Sequence, residues 1–262
     1  MVWPATAIVR RDLADLRAMP STDSELVDQA HYGEDLTVLG ESDAWRYVQG
    51  PDQYLGWVPL DDIAVFTEYA ERHVISVLLA DVRDAPRPNA EVIARLPAGT
   101  AVPANVASPE GWCEIHLGPG WRTGYVALAD LLDVRDLPHR YPTADDYLKT
   151  AETFIGVSYL WGGTTALGLD CSGLVQQVYR LNGLALPRDA DQQAMLGRRV
   201  EEARAGDLMF FGAERVTHVA LATSASEFIH APIKGGVVER SRLGGDRKLL
   251  GIRRYLTDVS IA

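Results

Sequence analysis

The chain has 262 residues, of which 47% are hydrophobic and 23% are charged, a composition typical of a globular protein. It contains no apolar run near the roughly 20 residues that a membrane-spanning helix needs, so no membrane association is predicted. The formal net charge of −11 repels nucleic acid at long range and favours a small soluble partner. Residues 1–19 lack the apolar stretch of a secretory signal, which favours a cytoplasmic location.

The first half of the chain contains an internal repeat. Four residues recur 66 positions later: Asp15, Pro20, Glu25 and Gly33 return as Asp81, Pro86, Glu91 and Gly99. Further along, Trp45 returns as Trp112, and Gly56-Trp57-Val58 returns as Gly124-Tyr125-Val126. A repeat of this length indicates two related structural units in tandem.

Each unit is rich in short apolar runs separated by Gly, Pro, Asp and Asn, which predicts short strands joined by turns. About 60 residues of such strands are typical of a small barrel. A strand with a tryptophan and a strand with Gly-aromatic-Val resemble bacterial SH3-like domains. We therefore predict one all-β barrel over residues 1–68 and a second over residues 69–137.

Residues 138–262 change to a helical pattern and then to strands, which predicts a separate α+β domain. Thr143 and Asp146 have the spacing of a capping box at the start of a first helix. A second helix is predicted to begin near Cys171 and to end at Asn182-Gly183, and a third to cover residues 189–196. The predicted strands cover residues 207–211, 216–222, 227–230, 237–240 and 249–255.

Cys171 is the first candidate for chemistry, because the start of a helix presents free backbone N–H groups that favour a thiolate. The alternative is a buried cysteine that acts as a small hydrophobic residue, but its neighbours Asp170 and Ser172 are polar. Cys113 lies between Trp112 and Glu114 in a predicted barrel strand and is assigned no role. Both thiols are expected to be free.

Two histidines lie on neighbouring predicted strands of the same domain. His218 and His230 are separated by a short turn, so antiparallel pairing can bring the two rings together near Cys171. His218 would then be a general base, and His230 would hold it in the correct tautomer. A Cys/His/His zinc site is the alternative, although no fourth ligand lies near Cys171 in the sequence. We predict neither a metal nor a cofactor.

Five motifs in fixed order resemble the NlpC family of bacterial cell-wall cysteine peptidases. They are Tyr159-Leu160-Trp161-Gly162-Gly163, Asp170-Cys171-Ser172-Gly173, Gly206-Asp207-Leu208, His218-Val219-Ala220 and His230-Ala231. The resemblance implies a compact papain-like domain that hydrolyses the γ-D-glutamyl-diamino acid bond of peptidoglycan peptides.

Site residues follow from that resemblance, position by position. Cys171 would be the nucleophile, His218 the general base and His230 the orienting residue. Tyr159 would help to stabilise the oxyanion, although a core aromatic before a Gly-Gly turn is an equally good interpretation. Three further residues would line the substrate cleft: Trp161, Asp170 and Ser172.

Two barrels ahead of such a domain resemble the branch of the family that trims free murein peptides during recycling, releasing L-Ala-D-Glu. The resemblance implies that an acidic and an aromatic residue of the first barrel bind the free amine of the substrate's N-terminal L-Ala. Glu25 and Tyr54 are the best matches, and Asp189 is a third candidate. Their alternative roles are a solvated carboxylate, a barrel-packing ring and a helix cap.

Two other functions stay open from the sequence. The barrels could hold a wall peptide or a protein partner beside a degenerate catalytic domain. The thiol could also serve an amidase or acyltransferase that acts on another acyl substrate.

Overall fold

The computed structural model describes residues 4–65, 72–103, 111–117, 122–133, 142–232, 236–244 and 248–256. The chain divides into two compact units, Met1–His139 and Arg140–Ala262. Within the described residues, no helix is long and apolar enough to cross a membrane.

The first part of unit Met1–His139 is a seven-stranded antiparallel sheet. Its strands are β1 (Ala5–Val9), β2 (Leu13–Arg17), β3 (Leu26–His31), β4 (Asp35–Ser42), β5 (Trp45–Gln49), β6 (Leu55–Pro59) and β7 (Ile63–Val65). They lie in the order β3-β2-β6-β5-β4-β1-β7. Alternate residues of these strands form one buried apolar cluster, which includes Leu16, Leu36 and Val48, as the period of two in a half-buried strand requires.

The second part of this unit repeats the same seven strands. They are β8 (Arg72–Ile75), β9 (Leu79–Arg83), β10 (Val92–Pro97), β11 (Ala101–Pro103), β12 (Trp112–Leu117), β13 (Arg122–Ala127) and β14 (Leu131–Asp133). They pair as β10-β9-β13-β12 and β11-β8-β14. Cys113 is fully buried in the core of this part.

The 66-residue repeat extends to individual hydrogen bonds. Arg17 pairs with Asp15 and donates to the carbonyl of Ser24. Arg83 pairs with Asp81 and donates to the carbonyl of Ala90 in the same way. The predicted boundaries at residues 68 and 137 fall outside the described residues, so they stay predictions.

The two repeats share a core within their unit. Tyr32, which follows β3, buries its ring in the apolar cluster of the second repeat, and its hydroxyl donates to the carbonyl of His116 at 2.8 Å. Gly33 has a φ of +73°, and a Cβ there would lie 2.9 Å from the carbonyl oxygen of Ala101. Any larger residue at position 33 would therefore clash with the second repeat.

Unit Arg140–Ala262 has the predicted α+β organisation. Its helices are α1 (Ala144–Thr153), α2 (Cys171–Leu181) and α3 (Ala190–Ala194). Its strands are β15 (Thr164–Thr165), β16 (Gly168–Leu169), β17 (Arg198–Val200), β18 (Leu208–Phe211), β19 (His218–Ala222), β20 (Glu227–His230), β21 (Glu239–Arg242) and β22 (Leu249–Arg254). Six strands form one sheet in the order β17-β22-β18-β19-β20-β21.

Most local predictions for this unit are confirmed. Thr143 and Asp146 form the predicted capping box at the start of α1, and α2 ends at Asn182 as its C-cap. The strand predicted at residues 237–240 is wrong by two positions, because Val237 makes only an isolated bridge to Ser158. Helix α2 packs against β19 and β20, and this places its first turn beside the strands that carry the histidines.

Candidate active site

Cys171 is the first residue of α2, directly after the N-cap residue Asp170. Its sulfur receives backbone hydrogen bonds from Val219 in β19 and from Ser172 in its own helix. The contact with Val219 shows which strand lies beside the thiol. Because Val219 directly follows His218 in the chain, the backbone of His218 is also near Cys171.

Burial first, and then the nearby Asp170 carboxylate, raise the pKa of the Cys171 thiol to about 11. The two backbone hydrogen bonds and the Arg188 guanidinium act in the opposite direction but do not compensate. The sequence predicted that the helix start favours a thiolate, and here burial outweighs that effect. The thiol therefore keeps its proton at neutral pH until a base removes it.

His218 and His230 lie on one face of the sheet. Ala222 pairs with Phe228 across β19 and β20, and alternation from this pair puts both histidines on the same side. The Nε2 atom of His218 is 2.9 Å from Nδ1 of His230. Both rings are buried, His230 completely. The predicted contact between the two imidazoles is thus present, and Nδ1 of His218 is the nitrogen directed away from His230.

Aromatic rings surround the two imidazoles. Phe211 pairs with His218 across β18 and β19, and Phe228 meets His230 edge to face at 5.1 Å between ring centroids. These apolar rings thus pack against both imidazoles.

Asp170 and Ser172 belong to a buried ion-pair network under the start of α2. The guanidinium of Arg188 donates to both carboxylate oxygens of Asp170, at 3.1 and 2.7 Å. It also donates to the Ser172 hydroxyl at 3.0 Å, and that hydroxyl donates to Asp170 at 3.1 Å. Only 1% of the Arg188 side chain is exposed. The predicted cleft-lining role of Asp170 and Ser172 stays a prediction, but their contacts position the helix that carries the cysteine.

Arg188 was missed by sequence reasoning. It lies in the same Pro187-Arg188-Asp189 segment that drew attention to Asp189. The only signal was an arginine between two residues that favour a turn, and this does not reveal burial. Full burial of such a side chain requires a paired anion, and that partner lies 18 residues away in the chain.

Glycines bring the loop before the site close to α2. The Gly162 N–H donates to Asp170 at 3.0 Å. A Cβ on Gly163 would lie 2.4 Å from the Gly168 carbonyl oxygen, and a Cβ on Gly173 would lie 2.3 Å from that of Gly163. The close backbone approach predicted for Gly162-Gly163 is therefore present, and side chains at positions 163 and 173 would push the loop off the helix.

Tyr159 and Trp161 frame the same loop. Tyr159 is half-buried and close to the cysteine. Its burial first, and then the nearby Cys171 thiol, raise the pKa of Tyr159 to about 12. Its hydroxyl is thus protonated at neutral pH and can donate a hydrogen bond. Trp161 is 61% exposed, so its ring is accessible to a ligand.

Comparison with known proteins shows which family the chain belongs to. The model of the NlpC/P60 family matches residues 156–248, and the model of the bacterial dipeptidyl-peptidase Sh3 domain matches residues 16–63. Dipeptidyl-peptidase 6 of Lysinibacillus sphaericus is 30% identical over 90% of this chain and 91% of its own length. The chain belongs to the NlpC/P60 family. It is therefore a cysteine peptidase.

Two further relatives agree with NlpC/P60 membership over nearly the whole chain. The γ-D-glutamyl-L-lysine dipeptidyl-peptidase of Bacillus subtilis is 28% identical over 98% of this chain and 92% of its own length. A crystal structure of an NlpC/P60 family protein from Bacillus cereus superposes with a TM-score of 0.83, covering 97% of this chain and all of that chain at 24% identity. The predicted fold, a papain-like domain preceded by SH3-like barrels, is confirmed.

The residues predicted to bind the substrate's amine lie in two different units. Glu25 is exposed directly before β3, and Tyr54 is half-buried in the turn between β5 and β6. The Glu25 carbonyl accepts a bond from Ala18, and its repeat partner Glu91 does the same in the second repeat. Part of the spacing around Glu25 that recurs in the second repeat is thus explained by barrel architecture. The binding roles of both residues stay predictions.

Asp189 is the N-cap residue of α3, and its backbone N–H donates to Gln192. This fits the capping interpretation of Asp189, and its binding role stays a prediction. Among the described residues, no group of three or more His, Cys, Asp or Glu side chains is arranged to hold a metal ion. The prediction that Cys171, His218 and His230 hold no metal stays a prediction.

Proposed function

We propose that this NlpC/P60 peptidase hydrolyses the γ-D-glutamyl-L-diamino acid bond of free murein peptides that begin with L-Ala, releasing L-Ala-D-Glu. The observation that carries the chemistry is the contact between Cys171 and Val219, next to a His218 ring bonded to His230 at 2.9 Å. The observation that carries the substrate is the full-length similarity to the γ-D-glutamyl-L-lysine dipeptidyl-peptidase.

In the first chemical step, Nδ1 of His218 takes the proton of the Cys171 thiol. The thiolate attacks the γ-carbonyl carbon of D-Glu, and the carbonyl oxygen becomes negative. A base is required here because burial holds the pKa of the thiol near 11. His230 supports the step, since its contact with His218 holds the imidazole and the imidazolium in one orientation.

Collapse of the tetrahedral adduct breaks the bond to the diamino acid. The Tyr159 hydroxyl donates to the oxyanion, which requires the protonated form that this residue keeps. The imidazolium of His218 returns its proton to the leaving amine, leaving L-Ala-D-Glu as a thioester on Cys171. Water then attacks the thioester with His218 again as base, which frees the dipeptide and restores the thiol.

Recognition of the substrate's free amine would set the cleavage point two residues from its N-terminus. An ammonium is matched by carboxylates, and the proposal keeps Glu25, Tyr54 and Asp189 as candidate residues for this role. Charge distribution supports a cationic group as ligand: residues 1–139 contain 22 of the 36 acidic residues but only 10 of the 25 basic ones.

The cytoplasmic location expected from residues 1–19 stays a prediction.

The function is tested with L-Ala-γ-D-Glu-L-Lys and its diaminopimelate analogue, each supplied with a free and with an acetylated N-terminus. We expect L-Ala-D-Glu to appear by mass spectrometry from the free peptides only, because acetylation removes the charge that the carboxylates bind. A loss of at least about 100-fold in kcat/KM on acetylation corresponds to one desolvated charge interaction of roughly 3 kcal/mol.

The outcomes separate the parts of the proposal. Equal cleavage of both forms would remove amine recognition and the roles of Glu25, Tyr54 and Asp189. No cleavage of any of the four peptides would contradict the proposed substrate and favour another acyl group. Comparison of the two free peptides gives the preference for the third residue.

A further inference from the structure

Beyond His230, the hydrogen-bonded chain continues into the edge strand β21. His230 pairs with Glu239 and Phe228 pairs with Ser241 across β20 and β21. Residues that pair across antiparallel strands share a face, so Glu239 and Ser241 lie on the face of the two histidines. Arg240, between them, is on the other face and pairs with Glu152 of α1.

Three contacts connect these groups. Nε2 of His230 is 3.2 Å from the Ser241 hydroxyl oxygen, and the same ring nitrogen is 3.6 Å from a carboxylate oxygen of Glu239. The Ser241 hydroxyl donates to that carboxylate at 3.3 Å. Serine has a single hydroxyl proton. Because the Ser241 hydroxyl donates its hydrogen bond to Glu239, the Ser241 oxygen can only accept a hydrogen bond from His230.

The direction of this contact fixes the tautomers of both histidines. His230 must carry its proton on Nε2 to donate to Ser241, which leaves its Nδ1 as an acceptor. That acceptor receives the hydrogen bond that the Nε2–H of His218 donates across the 2.9 Å contact. Nδ1 of His218 is then unprotonated, which is the form that can take a proton from Cys171.

We propose that Ser241 and Glu239 are positioning residues that set the tautomers of His230 and His218 and so keep His218 ready as a base. Neither residue touches the reacting atoms. The inference deepens the proposed function and rests on it for its kinetic consequence, whereas its effect on the tautomers does not depend on any substrate. Without the two residues, both rings would divide between tautomers, and only part of the molecules would have the basic nitrogen toward the cysteine.

The test compares Ser241→Ala with the conservative Ser241→Thr, which keeps a hydroxyl. Nitrogen-15 spectra of the histidine rings report which nitrogen carries the proton. In the wild type and in Ser241→Thr we expect the proton on Nε2 of both rings. In Ser241→Ala and in Glu239→Leu we expect mixed tautomers. We also expect kcat to fall about tenfold at unchanged KM. This is the lower end of the loss of activity that follows when a metal-bound histidine loses the residue that hydrogen-bonds its other ring nitrogen.

Glu227→Gln is the matched control. Glu227 lies on β20 and pairs with Arg242 of β21 in an exposed ion pair, so it tests the same two strands without touching the histidines. We expect neither the spectra nor kcat to change in this variant.

Unchanged tautomers in Ser241→Ala would overturn the inference, even if kcat fell, because a structural defect alone explains such a fall. A shift of tautomers that Ser241→Thr does not reverse would overturn it as well. If the wild type cleaves no murein peptide, the proposed substrate is wrong, and the spectra still decide the roles of Ser241 and Glu239.

Discussion

Replacement of His218 with alanine is expected to lower kcat/KM for the murein tripeptide by about 10²–10⁴-fold, the contribution of a positioned general base. The loss is large because burial keeps the pKa of the Cys171 thiol near 11. With that pKa, only about one thiol in 10⁴ is ionised at pH 7 in the absence of a base.

The same variant has a characteristic pH dependence. Without His218, we expect alkylation of Cys171 by iodoacetamide to rise about tenfold per pH unit from pH 7 to 10, since the thiolate fraction rises in this way below the pKa. The wild type is expected to react much faster near neutral pH and to depend less on pH. Mass spectrometry of the peptide that contains Cys171 gives the rate. Alkylation of the buried Cys113 reports whether unit Met1–His139 has opened, and hydrogen–deuterium exchange of the α2 amides reports the same for the unit that carries Cys171.

His116→Ala is the control for this experiment, because its half-exposed side chain contacts Glu114 and Thr123 in the second repeat. It should react and cleave like the wild type. A His218→Ala variant that alkylates as fast as the wild type at pH 7 would contradict the role of His218 as the base.

Replacement of Arg188 with methionine is expected to reduce the free energy of unfolding of unit Arg140–Ala262 by about 3–5 kcal/mol. Methionine fills similar space but leaves the buried carboxylate of Asp170 without its cation, and an uncompensated buried charge costs this much. Hydrogen–deuterium exchange of the α2 amides measures the change for this unit alone, and the most protected amides should exchange at least about 100-fold faster.

Two matched variants separate stability from site geometry. Arg254 makes the second buried bidentate pair, with Asp207 at 2.7 and 2.6 Å, and β18 separates its strand from β19. Arg254→Met should lose similar stability but keep the wild-type alkylation rate of Cys171, whereas Arg188→Met should change that rate. Arg242→Met breaks an exposed pair and should cost less than about 1 kcal/mol. If the α2 amides of Arg188→Met exchange no faster than those of Arg242→Met, the stabilising role of the buried pair between Arg188 and Asp170 is contradicted.

Local features of the fold could be predicted from the sequence because each rests on neighbouring residues. The capping box of Thr143 and Asp146, and the helix that begins at Cys171, follow from spacings of a few positions. The contact between the two histidines could also be predicted, since one short turn joins β19 and β20. In these cases the chain itself brings the interacting groups together.

The rest of the site depends on contacts between distant segments, which composition and spacing do not encode. Arg188 reaches Asp170 across the start of α2, and Ser241 reaches His230 only because β21 pairs in one particular register. The observed strand, Glu239–Arg242, begins two residues later than the predicted strand over residues 237–240, and only the observed strand includes Ser241. The rise of the thiol pKa through burial could not be predicted for the same reason, because burial is a property of the whole fold.

The central claim is that Cys171 is the nucleophile of a peptidase acting on free murein peptides. Its most direct test is the rate of release of L-Ala-D-Glu from L-Ala-γ-D-Glu-L-Lys by Cys171→Ala, beside the wild type and Cys113→Ala, with circular dichroism to verify folding. We expect cleavage by the wild type and by Cys113→Ala, and none above the uncatalysed background by Cys171→Ala. Release of the dipeptide by Cys171→Ala at a rate near that of the wild type would contradict the account.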